Sequence, residues 1–114
     1  MTTDLPLEAD TSLVEQVLIN LVVNAIEAVK ERPEPRIVLS AYLTNNKKTV
    51  IRMADNGMGM SEEVLDRIFI PFFSTKKHGS GIGLSLCKQI MMLHRGNIYV
   101  QSVEGEGTAF LLQF

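Results

Sequence analysis

Three glycine clusters constrain this chain more than any other feature of its sequence. They are residues 55–59 (DNGMG), 79–83 (GSGIG) and 105–108 (GEGT). Glycine lets the backbone adopt positive φ, and it lets a ligand touch main-chain N–H groups with no Cβ in the way. A single turn explains one such cluster. Three clusters, each next to a polar residue, indicate a bound ligand.

The composition predicts a single globular domain. The chain has 114 residues, of which 46% are hydrophobic and 21% charged, so it has enough apolar surface to offset the entropy of ordering one core. The net charge of -2 argues against a general nucleic-acid or anionic-membrane surface, so any phosphate site must be local. Because Cys87 is the only cysteine, an internal disulfide is excluded, which fits a reducing compartment. We expect no apolar run to be long enough to cross a membrane.

The spacing of apolar residues predicts the order helix, hairpin, helix, hairpin. The first helix is predicted over residues 12–30, the first hairpin over 36–43 and 49–55, a short helix from Ser61 toward Ile68, a longer helix from the turn at 81–83 to a C-cap glycine at Gly96, and two final strands over 97–103 and 108–114. The stretch 71–79 has no clean period and is interpreted as an ordered loop or a mobile lid. This order predicts an α+β two-layer sandwich, with helices on one face of a mostly antiparallel mixed sheet.

A polar stripe on the first predicted helix contains two asparagines, Asn20 and Asn24, one turn apart. Residues four apart lie on the same helix face, so both side chains should meet the same ligand. An asparagine carbonyl is a hard, neutral oxygen that suits Mg²⁺, whose other ligands are usually waters and substrate phosphates. The alternative is that both are solvent-facing helix residues, and the pair alone does not decide between the two interpretations.

Asp55 also has two interpretations. Asp-Asn-Gly is a common turn composition, so Asp55 is in one view a turn or cap residue. In the other view it ends the inward row of the second strand, where its carboxylate would accept a hydrogen bond from an exocyclic amine such as adenine N6. Guanine presents a carbonyl at that place, and two acceptors would face each other, so the same carboxylate would select adenine.

The cluster at 79–83 differs from two familiar phosphate loops. A dinucleotide fingerprint follows a strand, whereas the residues before Gly79 read FFSTKKH. The Walker string G-x-x-x-x-G-K-S/T does not occur in the sequence. A glycine-rich turn that opens directly into a helix still brings free N–H groups and the positive helix end together, which makes an anion site.

Five segments together resemble the catalytic ATP-binding domain of sensor histidine kinases, whose fold is shared with gyrase-type ATPases and Hsp90. Residues 16–25 resemble the N box, 55–59 the G1 box, 68–73 the F box, 79–84 the G2 box and 105–110 the last glycine motif. The resemblance covers nearly the whole chain. The segment NAIEAV at 24–29 is similar to the nitrogen-regulator type of sensor kinase.

The resemblance implies a role for residues in each segment. Asn24 is implied to ligate Mg²⁺ that bridges the ATP phosphates, with Asn20 nearby on the phosphate side, while Asp55 binds the adenine amine. The base pocket is implied to include Gly57, Gly59 and Met60, and Thr108 to support adenine through Asp55 or a water. The phosphate contacts are implied to come from Gly79, Gly81, Ile82, Gly83 and Leu84, with Lys76 neutralising the γ-phosphate from the lid.

The residue at position 20 bears on whether the chain transfers or hydrolyses phosphate. The hydrolysing relatives resemble one another in having a glutamate one turn before the metal asparagine, where this chain has Asn20. An amide takes no proton from water, so we expect poor hydrolysis and a γ-phosphate kept for an acceptor. Two alternatives remain, namely a stand-alone ATPase or serine kinase of this fold, and a non-catalytic nucleotide-binding or interaction module.

The resemblance also implies partners. The acceptor histidine of this family lies on a separate dimerisation domain, whereas His78 and His94 are expected to be ordinary surface residues. We therefore expect residues 1–114 to be one N-terminally truncated catalytic domain that binds ATP and Mg²⁺ without phosphorylating itself, and to be monomeric as a fragment. The full kinase is implied to be a homodimer that serves a response regulator, with this domain in the cytoplasm, whether the parent is soluble or anchored in a membrane.

Overall fold

A computed structural model describes residues 10–71, 73 and 83–114. Its elements are α1 (Thr11–Val29), β1 (Ile37–Leu43), β2 (Thr49–Asp55), α2 (Glu62–Leu65), α3 (Gly83–Leu93), β3 (Asn97–Val103) and β4 (Gly107–Gln113). The predicted order is confirmed, and the bounds of α1 and of all four strands lie within one residue of those predicted. The short helix α2 ends earlier than expected. Beyond it the chain tightens into turns, in which the Arg67 N–H bonds to Val64 O and the Ile70 N–H to Arg67 O.

The strands form one sheet in the order β1-β2-β4-β3. Each of these neighbours is antiparallel, so among the described residues the sheet lacks the parallel pairing that a mixed sheet would contain. The reason is connectivity, because the short turns 44–48 and 104–106 close two hairpins and β2 then pairs with β4. This register sets Asp55 at the end of β2 directly opposite Thr108 on β4.

The helix α1 begins at a cap and buries one face. The Asp10 carboxylate accepts the Leu13 N–H at 3.2 Å, which satisfies one of the free donors of the first turn. The buried positions recur every three or four residues, as predicted, and are Val14, Val17, Leu21, Ala25 and Val29. They pack with α3 and with one face of the sheet, where the core residues include Met53, Cys87, Met91, Ile98, Phe110 and Leu112. The two-layer α+β architecture is therefore confirmed.

One expectation about α1 was wrong. By length and composition alone, this 19-residue helix is apolar enough to cross a membrane. Its buried face lies in the protein core, and a core helix passes the same compositional test. The exposed Ile19, Val23 and Ile26 on the other side are what raise its apolar content to that level.

The end of α3 differs from the prediction at Gly96. The left-handed residue is Arg95, with φ 58°, and not the glycine that follows it. The Gly96 N–H bonds to Met91 O at 2.9 Å and the Arg95 N–H to Met92 O at 3.0 Å, which is the paired bonding of a Schellman ending. Gly96 has a packing reason instead, because a Cβ there would overlap the Gln113 carbonyl.

His94 is not the ordinary surface residue that we expected. Its Nε2 accepts the Asp10 N–H at 2.9 Å, so its Nδ1 carries the proton and donates to Ile90 O at 2.8 Å. The ring is half-buried and meets Phe114 edge-on, with centroids 6.2 Å apart. His94 thereby ties the end of α3 to the start of α1, while His78 lies outside the described residues.

Candidate functional site

One face of α1 connects two of the glycine clusters. At one end, a Cβ built on Gly83 would lie 3.5 Å from Asn20 Oδ1, so α3 begins beside this asparagine. At the other end, a Cβ on Gly57 would lie 2.6 Å from Ala28 O. Asn24 lies between them on the same face, because the spacing 20, 24, 28 follows the helical repeat. The two contacts are about 12 Å apart along the helix axis.

Asn20 is partly buried, and its buried Nδ2 atom has an unmet hydrogen-bonding need. Within the described part of the chain, its Nδ2 has no hydrogen-bond partner. Leaving a buried donor unsatisfied costs about 1–3 kcal/mol, which a ligand at this position would recover. The amide also faces the first turn of α3, where the positive end of the helix favours an anion.

The neighbouring Cys87 is a structural residue. Burial raises the pKa of its thiol to about 11, and this outweighs the lowering effect of the Asn20 amide beside it. The side chain is fully buried, and its Sγ contacts Val17 O at 3.9 Å. A protonated and inaccessible thiol is a poor nucleophile. Cys87 therefore packs beside Asn20 as a structural residue and does not react.

The structure shows Asp55 in the first of the two roles considered for it, that of a turn residue, at the end of β2. Its Oδ1 accepts the Gly57 N–H at 2.8 Å, which is the local turn bond expected of Asp-x-Gly. Burial raises the pKa of the carboxyl, and hydrogen bonds from the backbone N–H groups of Gly57 and Thr108 oppose that rise. A carboxylate offers about four lone-pair positions, so two such bonds leave capacity for a ligand donor.

The glycines near Asp55 allow the 55–59 loop to pack closely against both α1 and the end of β3. Gly59 has φ 68°, which favours glycine, and a Cβ there would overlap the Val103 carbonyl. The Met58 N–H also donates to Ala28 O at 3.3 Å, which fastens the loop to the end of α1. Residues 55–59 are therefore held between the end of α1 and the end of β3.

A pair of hydroxyl groups, on Ser102 and Thr108, joins β3 and β4 to Met60, the residue after the 55–59 loop. The buried Thr108 places Oγ1 2.8 Å from Ser102 Oγ. Ser102 Oγ donates its single proton to Gly107 O at 3.0 Å and accepts the Met60 N–H at 2.8 Å, so Thr108 is the donor within the pair. Sequence reasoning named Met60 and Thr108 as candidate site residues but did not name Ser102. Its signal was a polar residue at an inward strand position, opposite Thr108 in the register.

The remaining predicted site residues divide into two groups. Leu84 is partly buried against the core in the first turn of α3, next to Gly83. Four residues lie outside the described part of the chain, namely Lys76, Gly79, Gly81 and Ile82. The described structure thus places Asn20 beside Gly83 at one end of the α1 face and Asn24 midway along it, with Asp55, Gly57, Gly59, Met60 and Thr108 around the other end.

Comparison with known proteins identifies the family. Residues 9–114 match the sequence profile described as histidine kinase-, DNA gyrase B-, and HSP90-like ATPase. The chain belongs to this family. Within it, the chain is a HATPase_c domain of the sensor histidine kinase kind, in agreement with the resemblance of its five motifs.

The related kinases that the chain matches are much longer than the chain itself. The chain is 39% identical over 107 residues to the signal transduction histidine-protein kinase AtoS of Escherichia coli, a match that covers 94% of this chain and 17% of AtoS. It is 39% identical over 95 residues to sporulation kinase D of Bacillus subtilis, which covers 83% of this chain and 18% of that kinase. The chain therefore spans about a sixth of the length of these relatives.

Two solved HATPase_c structures share the fold. A nucleotide-free catalytic domain of histidine kinase ThkA superposes with a TM-score of 0.84 at 37% identity, covering 99% of this chain and 72% of that one. Full-length ShkA in complex with AMPPNP superposes with a TM-score of 0.80 at 25% identity, covering 92% of this chain and 22% of ShkA. Both agree with the two-layer architecture described above.

Proposed function

We propose that this chain binds Mg-ATP and donates the γ-phosphate to a histidine on a separate dimerisation domain, in two-component signal transduction. The observation that carries the proposal is the α1 face that joins the start of α3 to the loop around Asp55. A nucleoside triphosphate has an anionic end and a base end, and this face offers a partner for each. The AMPPNP bound to ShkA, an analogue of ATP, supports the same ligand class.

Asp55 recognises the base in this proposal. Its carboxylate is half-buried and held by backbone donors, so it presents an oriented acceptor to the adenine N6 amine. Gly57 and Gly59 let the loop pack against Ala28 and Val103 with no Cβ in the way, and Thr108 supports the carboxylate from the opposite strand. Guanine would set its carbonyl against this acceptor, and the unpaired buried groups would lower its affinity.

Asn24 and Asn20 serve the phosphate end. The Asn24 amide oxygen is the donor type that Mg²⁺ accepts, and the buried Nδ2 of Asn20 lacks a partner among the described residues, so this donor set fits a metal-phosphate group. Bound Mg²⁺ would offset the negative charge of the phosphates. The α3 N-terminus adds N–H donors from Gly83 and Leu84, and we propose that Gly79, Gly81, Ile82 and Lys76 complete the phosphate contacts.

The nature of residue 20 favours transfer over hydrolysis. Asn20 lies against the phosphate end, but its amide cannot accept a proton from an attacking water. In the proposed reaction the bond from γ-phosphorus to ADP oxygen breaks as a bond to an imidazole nitrogen of the acceptor forms. With γ-labelled ATP, the chain alone should release phosphate slowly and remain unlabelled. Rapid release would support an ATPase instead.

Phosphotransfer can be tested in a chimera with a relative. The AtoS segment that aligns with this chain would be replaced by residues 9–114, and the purified chimera incubated with γ-labelled ATP. We expect acid-labile label on the acceptor domain, and none in the same chimera carrying Asn24→Ala. A chimera that binds ATP and leaves the acceptor unlabelled would contradict the proposal.

The wider setting follows from this role. We propose that residues 1–114 are the catalytic ATP-binding domain of a longer cytoplasmic-facing kinase, which acts as a homodimer and passes phosphate to a response regulator receiver domain. The chain spans about a sixth of the sensor kinases AtoS and sporulation kinase D, which leaves room for acceptor and sensor regions. A nucleic-acid partner is not proposed, since the net charge is -2.

The raised pKa of Asp55 gives ATP binding a pH dependence. Because burial lifts this pKa above 3.8, the carboxyl takes up its proton at a higher pH than an exposed aspartate. Acidification through the raised pKa removes the acceptor, so ATP affinity should fall by up to about tenfold per pH unit below it. The contribution of Asp55 to folding stability changes with pH in the opposite direction. Between 3.8 and the raised value the native state binds more protons than the unfolded chain, so Asp55 adds stability as the pH falls.

Because ATP itself titrates, the pH profile needs a reference protein to which the titration of ATP contributes equally. The Asp55→Asn variant provides it, and the ratio of wild-type to variant affinity, measured by calorimetry from neutral pH down through the raised pKa of Asp55, isolates the carboxyl. We expect this ratio to decline on acidification. Parallel profiles for the two proteins would show that the Asp55 charge does not contribute to nucleotide binding.

A further inference from the structure

Arg32 follows the end of α1 and reaches three backbone carbonyls. Its Nε donates to Asn56 O at 2.9 Å, and its Nη2 donates to Gly57 O at 2.7 Å and to Gly105 O at 2.5 Å. The side chain is half-buried. A guanidinium is always charged and presents its donors in a rigid fork, so these bonds are stronger and more directional than neutral ones.

The contact with Asn56 acts on the same peptide group that holds Asp55. The Asn56 carbonyl and the Gly57 N–H belong to one peptide bond, with Arg32 Nε on the oxygen and Asp55 Oδ1 accepting the hydrogen at 2.8 Å. A cation at the oxygen polarises the peptide, which strengthens the N–H as a donor. Arg32 is therefore coupled to the Asp55 carboxylate through a single rigid unit.

The other two contacts fix the loop on both sides. The Gly57 carbonyl accepts from Arg32 while the next N–H, that of Met58, donates to Ala28 O at 3.3 Å. The Gly105 N–H donates to Met58 O at 2.6 Å, and the Gly105 carbonyl accepts from Arg32. Two successive peptides of the loop are thus held between α1 and the turn that joins β3 to β4.

We propose that Arg32 is a positioning residue for base recognition, which sets the orientation of Asp55 through the Asn56–Gly57 peptide without touching the nucleotide. The inference rests on the proposed function, because it takes Asp55 as the acceptor for adenine. It predicts that loss of Arg32 lowers ATP affinity and adenine selectivity together. A residue that only stabilised the fold would lower thermal stability and leave selectivity unchanged.

The test compares Arg32→Gln and Arg32→Lys with Lys30→Gln. The control removes one positive charge two residues earlier, from an exposed lysine whose ion-pair partner is Glu27. At a temperature where circular dichroism shows each protein folded, calorimetry should give about tenfold weaker ATP binding for Arg32→Gln, with GTP binding unchanged. Arg32→Lys should lie between this value and wild type, because one ammonium cannot reproduce the fork. Lys30→Gln should match wild type.

A double mutant separates positioning from general stabilisation. In an Asp55→Asn background, Arg32→Gln should cause no further loss of ATP affinity, because the acceptor that Arg32 orients is already gone. Equal losses in both backgrounds, or wild-type affinity and ATP/GTP ratio in folded Arg32→Gln, would overturn the inference. If Arg32→Gln does not fold, wild-type affinity and selectivity in Arg32→Lys would overturn it. A wild-type chain that binds no ATP would instead refute the proposed function.

Discussion

The Asp55→Asn variant should lose ATP affinity by about 1.5 to 3 kcal/mol, the usual value of a hydrogen bond to a charged group. This corresponds to a roughly 10- to 150-fold higher Kd. The structure explains the size of the effect, because the carboxylate is half-buried, oriented by the Gly57 N–H and placed opposite Thr108. GTP binding should change little, so the preference for adenine should largely disappear. The measurement is a pair of calorimetric titrations, with ATP and with GTP.

A matched variant for this change is Asp66→Asn. Asp66 is an exposed aspartate at the end of α2, so the substitution makes the same chemical change away from the candidate site. It should bind both nucleotides as the wild-type chain does. An unchanged ATP affinity in Asp55→Asn, with the fold intact, would remove Asp55 from base recognition.

The Asn24→Ala variant should abolish the effect of magnesium on ATP binding. In the wild-type chain Mg²⁺ should tighten ATP binding, since the Asn24 amide oxygen is proposed to help hold the metal, which would offset the charge of the phosphates. Without that oxygen, the ratio of Kd values measured in EDTA and in Mg²⁺ should fall to within about twofold of one. Asn24 is only partly buried and is not one of the core-facing positions of α1, so the fold should persist.

The control for Asn24→Ala is Gln16→Ala, which removes another amide from the same helix at an exposed position. This variant should keep the magnesium effect. Thermal unfolding of both proteins confirms that each remains folded before titration. If magnesium still tightens ATP in Asn24→Ala to the wild-type extent, the metal ligand is a different group.

Local patterns predicted most of the fold. The apolar repeat of α1 and the alternating burial of β3 follow from burial on one face, which is a property of each segment alone. The end of α3 escaped this reasoning. Which residue turns left-handed depends on where the last helical hydrogen bonds form, and that selected Arg95 over Gly96. His94 was also misjudged, because its partner Asp10 lies 84 residues away in the sequence.

The candidate site was predictable only where side chains follow a motif. Asn20, Asn24 and Asp55 stand at spacings that one helix or one strand imposes, so their positions could be inferred before the structure. Arg32 and Ser102 bind mainly backbone groups or another hydroxyl on distant segments, and no residue pattern records such partners. Their roles emerge only when the sheet register and the close packing of the 55–59 loop are known.

The most direct test of Mg-ATP binding is calorimetric titration of the wild-type chain with ATP and GTP, each with and without Mg²⁺. The proposed site predicts saturable binding of ATP that is tighter than that of GTP and is tightened further by magnesium. The ATP preference reports on Asp55, and the magnesium effect reports on Asn24. Equal affinity for both nucleotides with no magnesium effect, or no binding at all, would contradict the assignment of this site to Mg-ATP.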